Sequence, residues 1–366
     1  MSWLTRQLSG PSEDVAADAG WSTPPSRKGF FTDTSICIGC KACEVACKEW
    51  NAIPLDGLKL TGNSYDNTGD LGGSTWRHVA FVEQGRDRIE AARASGARLV
   101  ELGMPTVGPP ASPARAGTPA GYGTLPAPQE STDLRDLLAA NPATMTDAAT
   151  TVDGTPMVGP LPEFRWLMAS DVCKHCTHAG CLDVCPTGAL FRTEFGTVVV
   201  QADVCNGCGY CVGACPFGVI ERRTGQGSHF RGQPEDEHVP NIGVAQKCTL
   251  CYDRLGHDQM PACAQTCPTT SIRFGDHDDM VDAAKERVAQ LHDQGFTEAR
   301  LYGANELDGV GGTGSVFLLL DEPEVYGLPP DPVVATTHLP DMFRKAGIAA
   351  LAMIGAAAVS FIGGRS

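Results

Sequence analysis

All sixteen cysteines of the chain fall into four short runs. The tightest run, CNGCGYCVGACP, begins at Cys205 and ends at Pro216. The runs comprise Cys37, Cys40, Cys43 and Cys47; Cys173, Cys176, Cys181 and Cys185; Cys205, Cys208, Cys211 and Cys215; and Cys248, Cys251, Cys263 and Cys267. Because every cysteine belongs to a run, and the runs are tightly clustered in a long chain, the pattern indicates metal ligation and argues against disulfides.

The run at Cys205 has the spacing with which bacterial ferredoxins bind cubane 4Fe-4S clusters. A C-x-x-C-x-x-C loop can place three thiolates on three corners of one cube. Gly207 and Gly209 let the backbone approach the inorganic sulfides and donate hydrogen bonds to them. In two-cluster ferredoxins the fourth cysteine binds the other cluster, so the runs should be interlocked in pairs. Sixteen cysteines therefore predict four clusters.

The run at Cys248, taken alone, also fits a zinc ribbon, because C-x-x-C followed by two distant cysteines is a common zinc pattern. Its last cysteine precedes Pro268, and two other runs also end in proline. The first run departs from this pattern, with Lys48 in place of proline. The context of three further runs favours iron and sulfide at all four.

Other polar residues near the cysteines have two interpretations. His175 and His178 lie inside the second run, but four cysteines already satisfy a cluster, so we assign them no chemistry. Lys247 directly precedes Cys248, where a cation would stabilise a reduced cluster; a solvated surface lysine is the alternative. The glycines of residues 309–314 lack the lysine of a phosphate loop and predict a turn.

The segments between the runs must position them. Alternation of apolar residues predicts strands at residues 76–83 and 315–320 and a strand or hairpin at 193–201. Apolar residues at helical spacing predict helices at 86–102 and 278–294.

The chain divides into six predicted segments. They are an N-terminal arm at 1–30, a first ferredoxin-type region at 31–85, a Pro-, Ala- and Gly-rich insertion at 86–165, ferredoxin-type motifs two to four at 166–275, a C-terminal α/β extension at 276–335 and a transmembrane helix at 342–364. The arm fits either an extended segment over a partner or plain disorder. The insertion fits either a surface excursion around a neighbouring subunit or a flexible linker.

The last apolar stretch, residues 346–363, carries no charged side chain, and as a helix it would span about 27 Å at about 1.5 Å per residue. Its small residues share one face, which lets another membrane helix approach closely. They are Ala349, Ala352, Ala356 and Ser360. A buried alanine-rich helix is the alternative. The formal net charge of −15 argues against a nucleic-acid surface.

Several segments together resemble the iron-sulfur (beta) subunit of membrane-bound respiratory formate dehydrogenase. They are CIGCKACEVACKEWN, YDN, STWRHVAF, KCTLCYDR and YGLPPDP. The resemblance covers nearly everything except the arm and the insertion. It implies an α+β fold of two interlocked bacterial 2x(4Fe-4S) ferredoxin-like units, with an inserted irregular segment and a C-terminal transmembrane helix. All sixteen ligands are cysteine, unlike the respiratory nitrate reductase pattern with a tryptophan at one position.

By this resemblance, each cluster takes ligands from two runs. The first set is Cys37, Cys40, Cys43 and Cys267; the second is Cys47, Cys248, Cys251 and Cys263; the third is Cys173, Cys176, Cys181 and Cys215; and the fourth is Cys185, Cys205, Cys208 and Cys211.

The resemblance implies a non-catalytic electron-transfer subunit of a hetero-oligomer. A molybdopterin or tungstopterin catalytic subunit would oxidise formate, and a membrane cytochrome b would deliver the electrons to quinone. The alternatives are the equivalent subunit of another molybdopterin oxidoreductase, such as a sulfur-compound reductase, and an independent polyferredoxin. The family's main domain usually faces outward, whereas Arg344 and Lys345 before the helix, against Arg365 after it, favour the cytoplasmic side.

Overall fold

The computed structural model describes residues 19–55, 65–66, 68–103, 150–152, 155–157, 162–224 and 239–363. The first eighteen residues of the predicted arm, and residues 104–149 of the predicted insertion, lie outside these ranges.

The described residues form a mixed helix and sheet structure, as the sequence predicts. The strands are β1 (Lys28–Asp33), β2 (Arg77–Gly85), β3 (Thr150–Val152), β4 (Thr155–Met157), β5 (Phe164–Val172), β6 (Leu190–Arg192), β7 (Val198–Val200), β8 (Glu221–Arg222), β9 (Ala245–Gln246), β10 (Ile272–Asp276), β11 (Arg300–Tyr302) and β12 (Ser315–Leu319). The α-helices are α1 (Ala42–Trp50), α2 (Arg86–Glu101), α3 (Gly180–Asp183), α4 (Tyr210–Ala214), α5 (Tyr252–Leu255), α6 (Ala262–Gln265), α7 (His277–Asp293) and α8 (Leu339–Gly363).

A four-stranded sheet has the order β10-β1-β12-β11. Strand β1 lies inside it, antiparallel to β10 and parallel to β12, with Phe30 opposite both Phe274 and Ser315. The last residues of the predicted N-terminal arm are therefore a sheet strand of this chain. The sheet also joins β1 to two strands of the predicted C-terminal extension.

Helix α7 packs on this sheet, close to the bounds that its apolar spacing predicts. Its buried residues recur at helical intervals, which gives the helix one apolar face. They are Met280, Ala284, Val288 and Leu291. This face covers Phe30, Phe31 and the buried strand β12 to form the main core.

Strands β2 and β5 form a second, antiparallel ladder of nine residue pairs, from Arg77 opposite Val172 to Gly85 opposite Phe164. The predicted insertion leaves the ladder at Gly85 and returns at Phe164. Its two ends are therefore held together by backbone pairing.

The helix predicted at the start of the insertion is α2, and it packs closely on the core. A Cβ atom at Gly96 would lie 2.1 Å from the backbone oxygen of Thr297, so only glycine permits this approach. The fully buried carboxylate of Glu298 accepts a 2.8 Å hydrogen bond from Arg165, which compensates the buried charge.

The hairpin predicted at 193–201 is shifted towards the N-terminus: β6 and β7 pair, and residues 193–197 form the connection between them. Helix α8 begins seven residues before the predicted apolar stretch. Residues Met342–Phe361 are long and apolar enough to cross a membrane, and none of that stretch is buried in the protein. This exposure favours the membrane interpretation over a buried alanine-rich helix.

Candidate metal centres

Each of the four runs begins with a C-x-x-C loop, and these four loops share one backbone feature. The residue before the second cysteine of the run has a positive φ in all four. These residues are Gly39 (φ 65°), His175 (φ 45°), Gly207 (φ 72°) and Leu250 (φ 59°). Glycine adopts this conformation freely, but for histidine and leucine it is strained. The strain at two non-glycine positions shows that the surrounding fold imposes the same loop shape on all four runs.

Short helices follow three of these loops after a second left-handed residue. Helix α1 begins after Lys41, α4 after Gly209 and α5 after Cys251. Helices α1 and α4 carry further buried cysteines, Cys43 and Cys47 on α1 and Cys211 on α4. A spacing in sequence thereby becomes a convergence of thiols.

The first group of thiols lines one cavity. Cys37, Cys40, Cys43 and Cys267 surround it, together with Ser170. Its volume is about 290 Å³, including the part open to solvent. Three of these cysteines come from the first run and one from the fourth, so the grouping crosses the runs.

The third group lines a second cavity of about 360 Å³, again including open space. The cysteines are Cys173, Cys176, Cys181 and Cys215. Here too one cysteine comes from another run.

The other eight cysteines form two more groups, identified by the charges that act on them. Burial, and then the thiolates of Cys248, Cys263 and Cys251, raise the pKa of Cys47 well above its usual value. Burial, and then Cys205, Cys185 and Cys208, raise the pKa of Cys211 to about 11. The first and third of the four ligand sets that the family resemblance implies thus line one cavity each, and the full assignment of cysteines to clusters stays a prediction.

The chemistry of these groups suits a metal cluster. None of the sixteen cysteines forms a disulfide. Burial raises the pKa of Cys37 to about 11 and that of Cys248 to about 12. Such thiols become stable thiolates only beside a positive centre, which bound iron supplies.

A cubane also fits these groups better than zinc. The four sulfurs of a zinc site would lie about 2.3 Å from a single point. Within the part of the chain that the structure describes, no three Cys, His, Asp or Glu side chains converge in that way. The cysteines of the first and third groups instead surround cavities, as a cube with irons at separate corners requires.

Lys247 is buried, with 2% of its surface exposed, so the solvated-surface interpretation is wrong. Its Nζ donates to the backbone oxygens of Cys248, at 2.8 Å, and Val198. It lines the cavity of the third group, although Cys248, its neighbour in sequence, belongs to the second. There it opposes the effect of burial, which raises the pKa of Cys181 to about 12.

A second buried lysine beside the same cavity was not predicted from the sequence. Lys174 is fully buried and lines the cavity of the third group. Its Nζ pairs with Asp171 and donates to the backbone oxygen of Val172 at 2.9 Å. Its position inside a C-x-x-C loop, between Cys173 and Cys176, is the sequence feature that could have predicted a cation beside this cavity.

His175 has no ligand role in this arrangement. Its Nδ1 accepts a 3.2 Å hydrogen bond from the backbone N–H of Val198, which leaves the proton of a neutral ring on Nε2. Burial, followed by the nearby charges of Lys247 and Arg192, lowers its pKa well below 6.5. The ring is therefore neutral and cannot compensate thiolate charge.

The loop at Gly39 generates a test of the shared backbone shape. A Cβ atom there would lie 2.7 Å from the Phe81 ring and 2.9 Å from Met168 Sδ. We expect Gly39→Ala to lose the first cluster, or about four of about sixteen irons per chain. Gly327→Ala is the matched control, because Gly327 has φ 73° but nothing within 4 Å of an added Cβ. Iron analysis of both purified variants checks this; full iron in Gly39→Ala would contradict it.

The comparisons with known proteins agree with this geometry. The model of the 4Fe-4S dicluster domain matches residues 164–277. The formate dehydrogenase iron-sulfur subunit of Haemophilus influenzae is 33% identical over 94% of this chain and 83% of its own length. The nitrate-inducible formate dehydrogenase iron-sulfur subunit of Escherichia coli is 32% identical over 86% of this chain and 79% of its own length.

Another relative is matched over a smaller part of the chain. The thiosulfate reductase electron transfer subunit PhsB of Salmonella typhi is 43% identical over 31% of this chain and 51% of its own length. The long matches, together with the four groups of cysteines, show that the chain is an electron-transfer protein with four 4Fe-4S clusters and belongs to the formate dehydrogenase iron-sulfur subunits.

Proposed function

We propose that this chain carries electrons from a pterin-dependent catalytic subunit that oxidises formate to a membrane cytochrome b that reduces quinone. The observation that carries the proposal is the match to formate dehydrogenase iron-sulfur subunits along most of the chain. When bound, each 4Fe-4S cluster takes up and releases one electron at a time. The protein's part is to hold the clusters at short separations and to compensate their charge.

Four-residue steps link the groups in pairs. Cys43 and Cys47 both lie on α1, but they belong to the first and second groups. Cys263 and Cys267 repeat this step in the opposite direction. Four helical residues advance about 6 Å along the axis, so the two clusters would be near neighbours.

The same step joins the third and fourth groups. Cys181 belongs to the third group and Cys185 to the fourth, and Cys211 and Cys215 repeat the step in reverse. Together, the two double links support two interlocked ferredoxin-like units.

The two units meet between the second and third groups. After burial, the largest cause of the raised pKa of Cys248 in the second group is the thiolate of Cys173 in the third group. We therefore propose a linear order of four clusters, from the first group to the fourth. Cys40 in the first group and Cys208 in the fourth are the exposed cysteines. They mark the two ends at which partners can exchange electrons.

The terminal helix supports a direction along this line. Just before α8, the hydroxyl of Thr336 donates to the carboxylate of Asp183 on α3, which also carries Cys181. The membrane end therefore lies beside the third and fourth groups. We propose that electrons enter near Cys40 and leave near Cys208, with the main domain outside the cytoplasm as in the resembled family.

Catalytic dependence tests the proposed function. The chain with its clusters should accept electrons from dithionite, but it should not reduce dye with formate. Adding the catalytic subunit should give formate-dependent reduction of the clusters, measured as a loss of their visible absorbance. Formate oxidation by the chain alone would refute the proposal, and recovery only with the catalytic subunit of a sulfur-compound reductase would favour that alternative.

Two double variants test the crossed ligand sets. Cys47→Ser with Cys251→Ser removes two ligands of one proposed cluster, so about four of about sixteen irons should be lost. Cys43→Ser with Cys47→Ser removes one ligand from each of two proposed clusters, so about eight irons should be lost. If each run instead bound its own cluster, the two results would be exchanged. Iron analysis per chain distinguishes them, and zinc in any site would overturn the assignment.

The terminal helix should anchor the complex beside the cytochrome. Large apolar side chains project from it, including Ile348, Leu351 and Phe361, which are 61%, 70% and 81% exposed. Truncation after Asp341 should leave four clusters and formate-to-dye activity intact, because the helix contributes no thiol. Quinone reduction and co-purification with the cytochrome should be lost.

Ala356→Leu provides a finer test of the same helix. The larger side chain would fill the small-residue face and weaken cytochrome association without removing the span. Ile354→Leu, on the large apolar face, is the control and should leave association unchanged. If the truncated chain still co-purifies with the cytochrome and reduces quinone at the original rate, the anchoring role is wrong.

A further inference from the structure

Arg77 carries a buried positive charge that neither the sequence motifs nor the cysteine ligation explains. It is the first residue of β2 and is 1% exposed. Its guanidinium carbon lies 4.8 Å from the centroid of the Phe30 ring. Its Nε and Nη2 are buried and have no hydrogen-bond partner among the residues that the structure describes. Leaving charged donors unsatisfied in the interior is costly, so they require an acceptor.

The charges that act on Arg77 identify that acceptor. Burial lowers the pKa of the guanidinium, but the thiolates of Cys263, Cys43, Cys248 and Cys47 outweigh burial and raise it. Cys43 belongs to the first group, and the other three belong to the second. The charges of two groups of cluster ligands therefore act on Arg77, whose Nε and Nη2 have no partner among the described residues.

Ser170 connects Arg77 to the first group alone. Arg77 Nη1 donates a 2.9 Å hydrogen bond to Ser170 Oγ, and this oxygen lies 3.2 Å from Cys43 Sγ. A cluster-bound thiolate can only accept a hydrogen bond. The Ser170 hydroxyl must therefore donate to Cys43 while it accepts from Arg77. Ser170 also lines the cavity of the first group.

We propose that Arg77 is a positioning residue that raises the reduction potentials of the first and second clusters together, while Ser170 adds a hydrogen bond that acts on the first cluster only. This inference rests on the proposed function and on the crossed ligand sets. Reduction of either site adds one electron, taken from the preceding donor, and one negative charge. A fixed cation beside both sites favours that charge, and hydrogen bonds to ligand sulfur act in the same direction.

The guanidinium suits this position between two sites. It remains protonated at all working pH values, so no proton has to move when an electron does. Its planar fork presents donors in several directions, whereas an ammonium group acts as a compact point charge. Contact with the Phe30 ring holds the plane of the fork. One side chain can thereby act on both clusters while making few contacts of its own.

The test is a redox titration of the iron-loaded full chain in its complex, in which electron paramagnetic resonance measures the reduction of each cluster. Arg77→Gln should lower two of the four potentials. At a fixed potential, the reduced-to-oxidised ratio of each should fall about tenfold, which is about 59 mV for a one-electron couple. Ser170→Ala should lower only one of those two. Arg77→Lys should retain most of the effect of the charge.

Arg273→Gln is the matched control. It also removes one positive charge near a phenylalanine, since the guanidinium carbon of Arg273 lies 5.9 Å from the Phe31 ring centroid. Arg273 is exposed on β10, and no potential should move. An equal fall of all four potentials in Arg77→Gln, or the same shifts in Arg273→Gln, would show a general charge effect and overturn the inference.

Iron content shows whether a variant has lost a cluster or has only changed its reduction potential. If Arg77→Gln fails to retain iron, Ser170→Ala decides: one lowered potential with full iron supports the inference, and four unchanged potentials overturn it. Unchanged potentials in an iron-loaded Arg77→Gln also overturn it. The wild-type complex tests the proposed function separately, because formate should reduce its four clusters whatever the variants show.

Discussion

The structure depends on how it buries many thiolates in one protein. A buried anion is costly unless a positive charge or hydrogen-bond donors compensate it. Bound iron supplies part of that charge, and buried cations supply the rest. Arg77 serves the first two groups, and Lys174 and Lys247 serve the third. These cations have almost no exposed surface, and Lys174 also pairs with Asp171.

The second constraint is distance. Electron transfer between clusters requires short separations that do not change as the protein moves. Four-residue steps, repeated in both directions between paired groups, meet this requirement because a ligand of each cluster lies about one helical turn from a ligand of its neighbour. The loops at His175 and Leu250 serve the same purpose. These two residues adopt the positive φ that glycine adopts in the other two loops, so the backbone can curve around each cluster.

Local patterns predicted the clusters and several elements well. Cysteine spacing depends on the geometry of one loop, and the apolar periodicity of α2 and α7 is also local. Long-range pairing is less accessible from sequence. The predicted boundary between the arm and the first ferredoxin-type region falls at residue 30, inside β1, because nothing in residues 28–33 indicates that β10 and β12 flank them. The contact of Lys247 with the cavity of the third group has no signal in sequence, because the cysteine next to it in the chain belongs to the second group. Arg77 was missed, since its partners come from four distant parts of the chain.

The β2–β5 ladder has a consequence for how this chain can change. Arg77 stands at one end of it and the Gly85–Phe164 pair at the other, eight residue steps or about 27 Å away. The segment 86–163 leaves the ladder after Gly85 and rejoins it at Phe164, at the end opposite Arg77. Closing a longer loop there costs little, because loop-closure entropy grows only slowly with length. The ladder thus separates Arg77 from the point at which residues 86–163 leave and rejoin the sheet, while α2, at the start of that segment, packs on the core at Gly96.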